Sequence, residues 1–360
     1  MSRPFRVLDA GLQAGRFNIA LDQAMLELHQ AERLADSLRF IHFRPSALVG
    51  RHQSLSAELD CDYCRQHGIQ AGRRITGGGA IYLDPGQLGW ALVFGRGALG
   101  NASLGEVARV VCEAAAAGLS RLGVAARFRP RNDIEVDGRK IGGTGGFFDG
   151  GTLLYQGTVL VDFDTAAMLG ALRVPRAKIA RHGLDSAAQR VVSLRELLGP
   201  RTPAVEQVQQ ALLGGFQETL GLTFQPATAA ELEAVIQRGR ELHEGQIGQE
   251  AFVAEIDGPP PGGVSIGTST GAGGTITAYL RREGSGGRRI GQVLITGDFF
   301  VAPPRLVFDL ESRLRGVEVD AAGETIERFF LEHSAGTVSV GAAEFRHAIE
   351  AALAATASAG

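Results

Sequence analysis

Three cysteines in 360 residues, Cys61, Cys64 and Cys112, are too few and too odd in number to staple the chain, which argues against a disulfide-built secreted fold. Cys61 and Cys64 form a C-x-x-C pair, but no second C-x-x-C and no H-x-x-x-H accompanies it. The stretch around the pair, Glu58 to Gln66, is polar and reads as a helix crossing the surface. No apolar run reaches the ~18 residues of a membrane span. Neither sign of charge dominates: 36 Lys and Arg stand against 39 Asp and Glu, for a net charge of -3. A global basic field towards nucleic acid or anionic lipid is therefore excluded. Met1 to Phe17 carries charges and no apolar signal stretch, so the expectation is a soluble cytoplasmic protein.

Glycine, by contrast, is abundant. Fifty of 360 residues is about twice the usual ~7% share. The glycines are clustered and not periodic, which suits turns, linkers and backbone brought close to a ligand. The length fits two domains. In the first half, Asn18 can cap a helix carrying Leu21, Met25 and Leu28 on one face, and Ser103 with Glu106 makes a capping box before Val107, Val110, Val111 and Ala114. Leu38 to Phe43, Ala47 to Gly50, Trp90 to Phe94 and Leu153 to Asp162 read as strands. Asp133 to Val136 and Arg139 to Ile141 flank Asp137-Gly138, the signature of a tight hairpin. From about Thr165 the pattern turns helical, with capping boxes at Ser193 to Glu196 and Thr228 to Glu231. Asp257 to Thr275, with Pro259-Pro260-Pro261, is the linker candidate. A second hairpin at Thr275 to Arg282 and Arg289 to Thr296, then helices at Pro303 to Leu314 and Ala342 to Leu353, form a small α+β domain.

Two segments carry chemistry. Arg73-Arg74-Ile75-Thr76-Gly77-Gly78-Gly79-Ala80-Ile81-Tyr82-Leu83-Asp84 places two guanidiniums before glycines whose N–H groups can meet an anion. By itself it equally suits a glycine-rich hairpin with solvated arginines, and it is not a Walker A motif, since no G-K-[ST] follows. Arg131-Asn132-Asp133-Ile134-Glu135-Val136-Asp137-Gly138-Arg139-Lys140-Ile141-Gly142-Gly143 sets Lys140 just past a tight turn on a strand. A lysine there can neutralise charge on a phosphate and a carboxylate together, although an exposed strand lysine is the commoner fate.

The pairing of R-R-x-T-G-G-G-A-I-Y with N-D-I-x-V-x-G-R-K-I-x-G resembles the lipoate–protein ligase A family of the biotin/lipoate ligase superfamily. The likeness continues through Asn18 to Asp22, Gln156 to Asp162, Pro175, Lys178, Arg190 to Leu194 and Gly297-Asp298-Phe299-Phe300. It implies an α+β fold: a class II synthetase-like, biotin-ligase-like catalytic domain with a mixed sheet flanked by helices (residues 1–250), then a small α+β accessory domain (residues 251–360). It implies ATP and Mg²⁺ as a substrate complex, lipoic or octanoic acid as the acid, and an acyl-adenylate passed to a lysine of a lipoyl-domain acceptor. That acceptor would be a 2-oxoacid dehydrogenase E2, a glycine-cleavage H protein or an H-like lipoate-binding protein. Arg73, Gly77, Gly78, Gly79, Ala80, Ile81 and Lys140 match the family's ATP- and lipoate-binding positions, with Lys140 catalytic. Asn132 and Asp133 match positions near the phosphates, Asp133 beside magnesium, which would otherwise bind phosphate oxygens and water.

The chain departs from the family pattern at Leu83 and Gln156, where histidine is usual, and in the glycine-rich Gly143 to Gly146. Two alternatives remain at this level. An ATP-independent octanoyltransferase of the same superfamily needs a cysteine nucleophile; no cysteine follows Cys112, which sits in an apolar helix. A non-catalytic lipoyl-binding paralogue would be favoured by loss of Arg73 or Lys140, and both are present.

Overall fold

The computed structural model describes residues 4–100, 102–130, 132–173, 190–257, 264–333 and 339–355. Pro175, Lys178 and the Pro259-Pro260-Pro261 run lie outside them. The strands of the first body are β1 (Phe5–Gln13), β2 (Ser37–Phe43), β3 (Ser46–Val49), β4 (Gln70–Arg73), β5 (Ile81–Leu83), β6 (Gln87–Gly95), β7 (Ala126–Arg129), β8 (Asp133–Val136), β9 (Arg139–Asp149), β10 (Thr152–Leu160) and β11 (Phe224–Pro226). Eight of them make one mixed sheet in the order β11-β1-β2-β6-β10-β9-β8-β7, and β4-β3-β5 form a small second sheet. Only the β11-β1-β2 pairs of the large sheet are parallel; the other pairs, from β2 across to β7, are antiparallel.

The sheet buries both faces, as period-two alternation of apolar residues on both sides of β6 and β10 requires. Helices Leu104–Ser120 and Val205–Leu220 cover one face over Phe40, Trp90, Leu92 and Tyr155. Helices Gly15–Gln30 and Ala229–Leu242 cover the other over Ala91, Val93 and Leu154. The capping boxes at Ser103–Glu106 and Thr228–Glu231 are formed, and Ser193 caps helix Leu194–Leu198 by accepting from Glu196 N–H. Asn18 is not a cap. The helix starts at Gly15, and Asn18, one turn inside and buried, instead donates through Nδ2 to His42 O at 2.9 Å. The surface helix expected over Glu58–Gln66 is broken into Leu55–Glu58 and Cys61–Gln66, because Leu59 bridges to Leu172 and Asp60 caps the second piece.

The carboxy-terminal body has its own core, including Ile276, Phe299, Leu310, Phe329 and Phe345. It is built on β12 (Ser265–Gly271), β13 (Gly274–Glu283) and β14 (Arg289–Gly297), with helices Leu306–Leu314, Ala322–Glu332 and Ala342–Ala354. β12 lies inside the expected linker. Gly267 is a packing position: a Cβ there would stand 2.1 Å from Ala352 N, so glycine lets the last helix rest on the strand. Among the described residues no helix is long and apolar enough to cross a membrane.

Helices Leu104–Ser120 and Val205–Leu220 touch backbone to backbone. A Cβ on Gly215 would approach Ala114 O to 2.2 Å, and one on Gly118 would approach Ala211 O to 2.5 Å. Gly215→Val must push the helices apart and should cost about 1–3 kcal/mol in urea unfolding; an unchanged midpoint would mean the crossing is looser than these distances require.

Candidate active site

The glycine loop connects β4 to β5, and the two arginines before it do different work. Arg74 is buried, and its guanidinium donates to Leu48 O at 2.9 Å, Gly77 O at 3.1 Å and Gly79 O at 2.8 Å. Burial lowers its pKa from 12.5 to about 10, which leaves it charged at neutral pH. The loop is thus wrapped round a cation through its carbonyls. Gly78, at φ +92°, takes a backbone conformation that L side chains rarely adopt.

Arg73, the last residue of β4, is 1% exposed. It donates to the carbonyls of Gly50, Arg51 and Gln53 and to those of Phe252, Val253 and Ile256, at 2.6–3.2 Å. Arg73 was expected to meet the ligand; in this structure it does not line the cavity described below. Its donors are spent on backbone, and it fastens the segment at 252–256 to the turn at 50–53.

Lys140 sits where the hairpin places it. Asp137 at φ +50° and Gly138 at φ +80° make the primed turn between β8 and β9. The backbone of Lys140 pairs on its free edge with the Arg190–Val192 stretch, Lys140 N to Arg190 O and Val192 N to Lys140 O, both 2.8 Å. Its side chain is 37% exposed and its Nζ lies 2.7 Å from Asp133 Oδ1. A Cβ on Gly143 would fall 2.6 Å from that Nζ, so glycine leaves the lysine room to lie back along its own strand. Asp133 Oδ2 meanwhile accepts from Arg129 Nη2 at 2.6 Å. Both carboxylate oxygens are therefore held by cations, which does not fit Asp133 as a direct magnesium ligand and makes it the residue that aims Lys140. No group of three or more metal-ligating side chains occurs among the described residues.

Lys140 and both glycine segments line a cavity of about 330 Å³. Of the residues expected from sequence, Gly77, Gly78, Gly79, Ala80, Ile81, Asn132 and Lys140 line it; Arg73 and Asp133 do not. Asn132 is half-buried and braces β9, accepting on its carbonyl from Thr144 N at 2.8 Å and donating through Nδ2 to Thr144 O. Apolar walls come from Ile19, Ile41, Phe43, Leu48 and Leu83. Among them sit Asp22 and Gln156, with Asp22 1% exposed and accepting from Arg39 on one oxygen and from Gln156 on the other. Burial raises the Asp22 pKa, against the opposing pull of Arg39. Sequence reading missed Asp22 and Phe300 as parts of the site, and took Arg74 with Arg73 as a cation beside an anionic ligand, where the structure spends it on the loop's carbonyls. Asp22 was legible only as a carboxylate on the apolar face of a helix, and Phe300 arrives from the other body.

Cys112 is fully buried behind the cavity wall, 3.2 Å from Thr144 Oγ1 and 3.8 Å from Tyr155 OH. Burial raises its pKa, so it stays a thiol. Cys64 is pushed up to about 11, again by burial.

The mixed eight-stranded sheet flanked by helices is the fold of solved lipoate ligases. Residues 14–217 match the lipoyl protein ligase A/B catalytic domain, and the chain belongs to that family. Lipoate-protein ligase LplJ of Bacillus subtilis is 31% identical over 191 residues, 53% of this chain and 56% of LplJ, so the match spans little more than half of that relative. Octanoyltransferase LipM of Geobacillus kaustophilus is 26% identical over 258 residues, 65% of this chain and 92% of LipM. Among solved structures, the bipartite lipoate protein ligase of Thermoplasma acidophilum, from a study of that ligase and its E2 lipoyl domain, superposes with a TM-score of 0.62 at 26% identity, covering 72% of this chain and all of that one. A lipoate-protein ligase A bound with ATP gives 0.61 at 26% identity, covering 71% and 100%.

Arg73→Met should cost at least about 2 kcal/mol in denaturant unfolding, because it strips charge-assisted hydrogen bonds from buried carbonyls. A variant as stable as the parent would return Arg73 to the ligand-binding residues.

Proposed function

We propose that the chain is an ATP-dependent lipoate–protein ligase. The observation that carries this reading is Lys140, held by Asp133 at the cavity wall between two glycine-rich segments, with no cysteine in the lining. In the first step a carboxylate oxygen of lipoate attacks the α-phosphorus of ATP and pyrophosphate leaves. Two anions must approach, and Lys140 with the loop amides offsets their repulsion. In the second step the acceptor's lysine amine attacks the acyl carbonyl, the bond to phosphate breaks, and AMP leaves. Magnesium enters with ATP as part of the substrate and is held through phosphate oxygens and water. The apolar wall from Ile19 to Leu83 suits the acyl chain, octanoate as well as lipoate.

We assign residues 1–250 to the catalytic part and 251–360 to an accessory part, with buried Phe252 and Val253 as the tether between them. The acceptor we infer is a lipoyl-domain protein: a 2-oxoacid dehydrogenase E2, a glycine-cleavage H protein or an H-like lipoate-binding protein. The expected setting is the cytoplasm.

An octanoyltransferase is the competing reading, since relatives of that name match along most of their length. It requires a thiolate to carry the acyl group. Cys112 is 0% exposed with its pKa raised, and Cys61 and Cys64 belong to a separate packing cluster around Leu59 and Tyr82.

Lys140→Ala should lower lipoate-dependent exchange of pyrophosphate into ATP by at least ~10²-fold. Its unfolding free energy should stay within about 1 kcal/mol of the parent, since the side chain is only half-buried and Asp133 keeps Arg129 as a partner. Near-normal exchange in the folded variant would retire Lys140 from the chemistry. A variant combining Cys61→Ser, Cys64→Ser and Cys112→Ala should keep ATP-dependent lipoylation, with some stability lost at the two buried sites. Acyl transfer from carrier protein without ATP, abolished in that triple variant, would decide for the transferase.

A further inference from the structure

The carboxy-terminal body reaches into the cavity through one side chain. Phe299 and Phe300 follow β14 and have different surroundings. Phe299 is fully buried in its own body's core, edge-on to Phe345 at 5.3 Å, and stacks on His52 of the first body at 5.3 Å. Its carbonyl accepts from Gly78 N at 3.1 Å. The backbone of Phe300 is fixed from its own side, N to Ser339 Oγ at 2.9 Å and O to Ser339 N at 3.3 Å. The ring of Phe300 therefore has little freedom of placement, and it lies between the two glycine segments. A Cβ on Gly78 would stand 2.5 Å from Phe300 Cζ, and a Cβ on Gly145 would stand 2.6 Å from Phe300 Cε1. Even so clasped, Phe300 is only half-buried, and it forms part of the same cavity wall as Lys140.

A ring used only to join two bodies has no need to face an open cavity. We propose that Phe300 is a substrate-contacting residue: it completes the acyl site from the carboxy-terminal body and shields the activated carbonyl from water, with Gly78 and Gly145 forming the recess that admits it. The glycine at 145 thereby acquires a reason, since any larger residue would displace the ring. The shielding part rests on the ligase reading. The side reaction it suppresses is attack of water on the acyl–AMP carbonyl, which breaks the bond to phosphate, releases AMP and returns lipoate with a proton to solvent.

The test uses the full chain. Calorimetric binding of lipoic acid is compared among the parent, Phe300→Ala, Phe300→Leu, Gly145→Ala and the Gly145→Ala/Phe300→Ala pair, each checked by its melting curve. Phe300→Ala should weaken binding at least about fivefold, and Phe300→Leu should recover most of the loss, as for an apolar anchor. Gly145→Ala should weaken binding similarly, yet add little in the Phe300→Ala background, because the new methyl then has space. In turnover, AMP released per lipoyl group transferred should rise at least about threefold in Phe300→Ala. Unchanged affinity in folded Phe300→Ala, a folded Phe300→Leu that binds no tighter than Phe300→Ala, or strictly additive effects of the pair would overturn the proposal; so would a parent that binds neither lipoate nor octanoate. A parent that binds lipoate in a Phe300-dependent way but shows no pyrophosphate exchange would sink the ligase reading and leave Phe300 in the acyl site.

Discussion

Two adjacent buried guanidiniums organise this molecule. Arg73 ends β4 and Arg74 follows it, and each collects a different set of backbone carbonyls instead of carboxylates. Arg74 curls the glycine loop round itself and fixes the wall of the cavity. Arg73 ties the turn at 50–53 to the segment at 252–256, from which the chain departs for its second body. A guanidinium has five N–H donors in a rigid fork and keeps its charge when buried, so it can gather carbonyls that a lysine could not satisfy. The glycine loop and the approach of the second body thus depend on one dipeptide.

Lys140 is built on the opposite principle. It stays accessible and is aimed by a carboxylate that is itself held by Arg129. A fully buried lysine would lose its charge to desolvation, whereas an unguided surface lysine would spend side-chain entropy on each encounter. The hairpin turn, the pairing with Arg190–Val192 on one edge and the missing side chain at Gly143 place the amine between these limits.

The carboxy-terminal body meets the site through close backbone contact. Gly297 N donates to His52 O at 3.0 Å, and a Cβ on Gly77 would stand 2.3 Å from Phe299 O. His52, sealed in that contact, has its pKa lowered from 6.5 to about 3, by burial first and then by the Arg51 and Arg73 charges. It is neutral at physiological pH, and its ring stacks on Phe299 across the junction.

Local pattern was enough for whatever depends on neighbours in sequence. The capping boxes at Ser103 and Thr228 need residues three apart, and the β8–β9 hairpin needs only Asp137-Gly138 between strands, so both could be read directly. The resemblance of Arg73–Asp84 and Arg131–Gly143 to one family was likewise a matter of short contiguous motifs, and it carried the fold class with it. What the tertiary structure decided was direction and company. Nothing local says that Arg73 turns inward to carbonyls nearly two hundred residues away, that Asp133 is taken up by Arg129 and Lys140, or that Asp22 faces a cavity. The glycines after Asp257 read as linker because a missing side chain signals looseness unless something lies against it. At Gly267 and Gly145 something does, a helix and a phenyl ring, and which neighbour fills the space of an absent Cβ is fixed only when distant parts of the chain have packed.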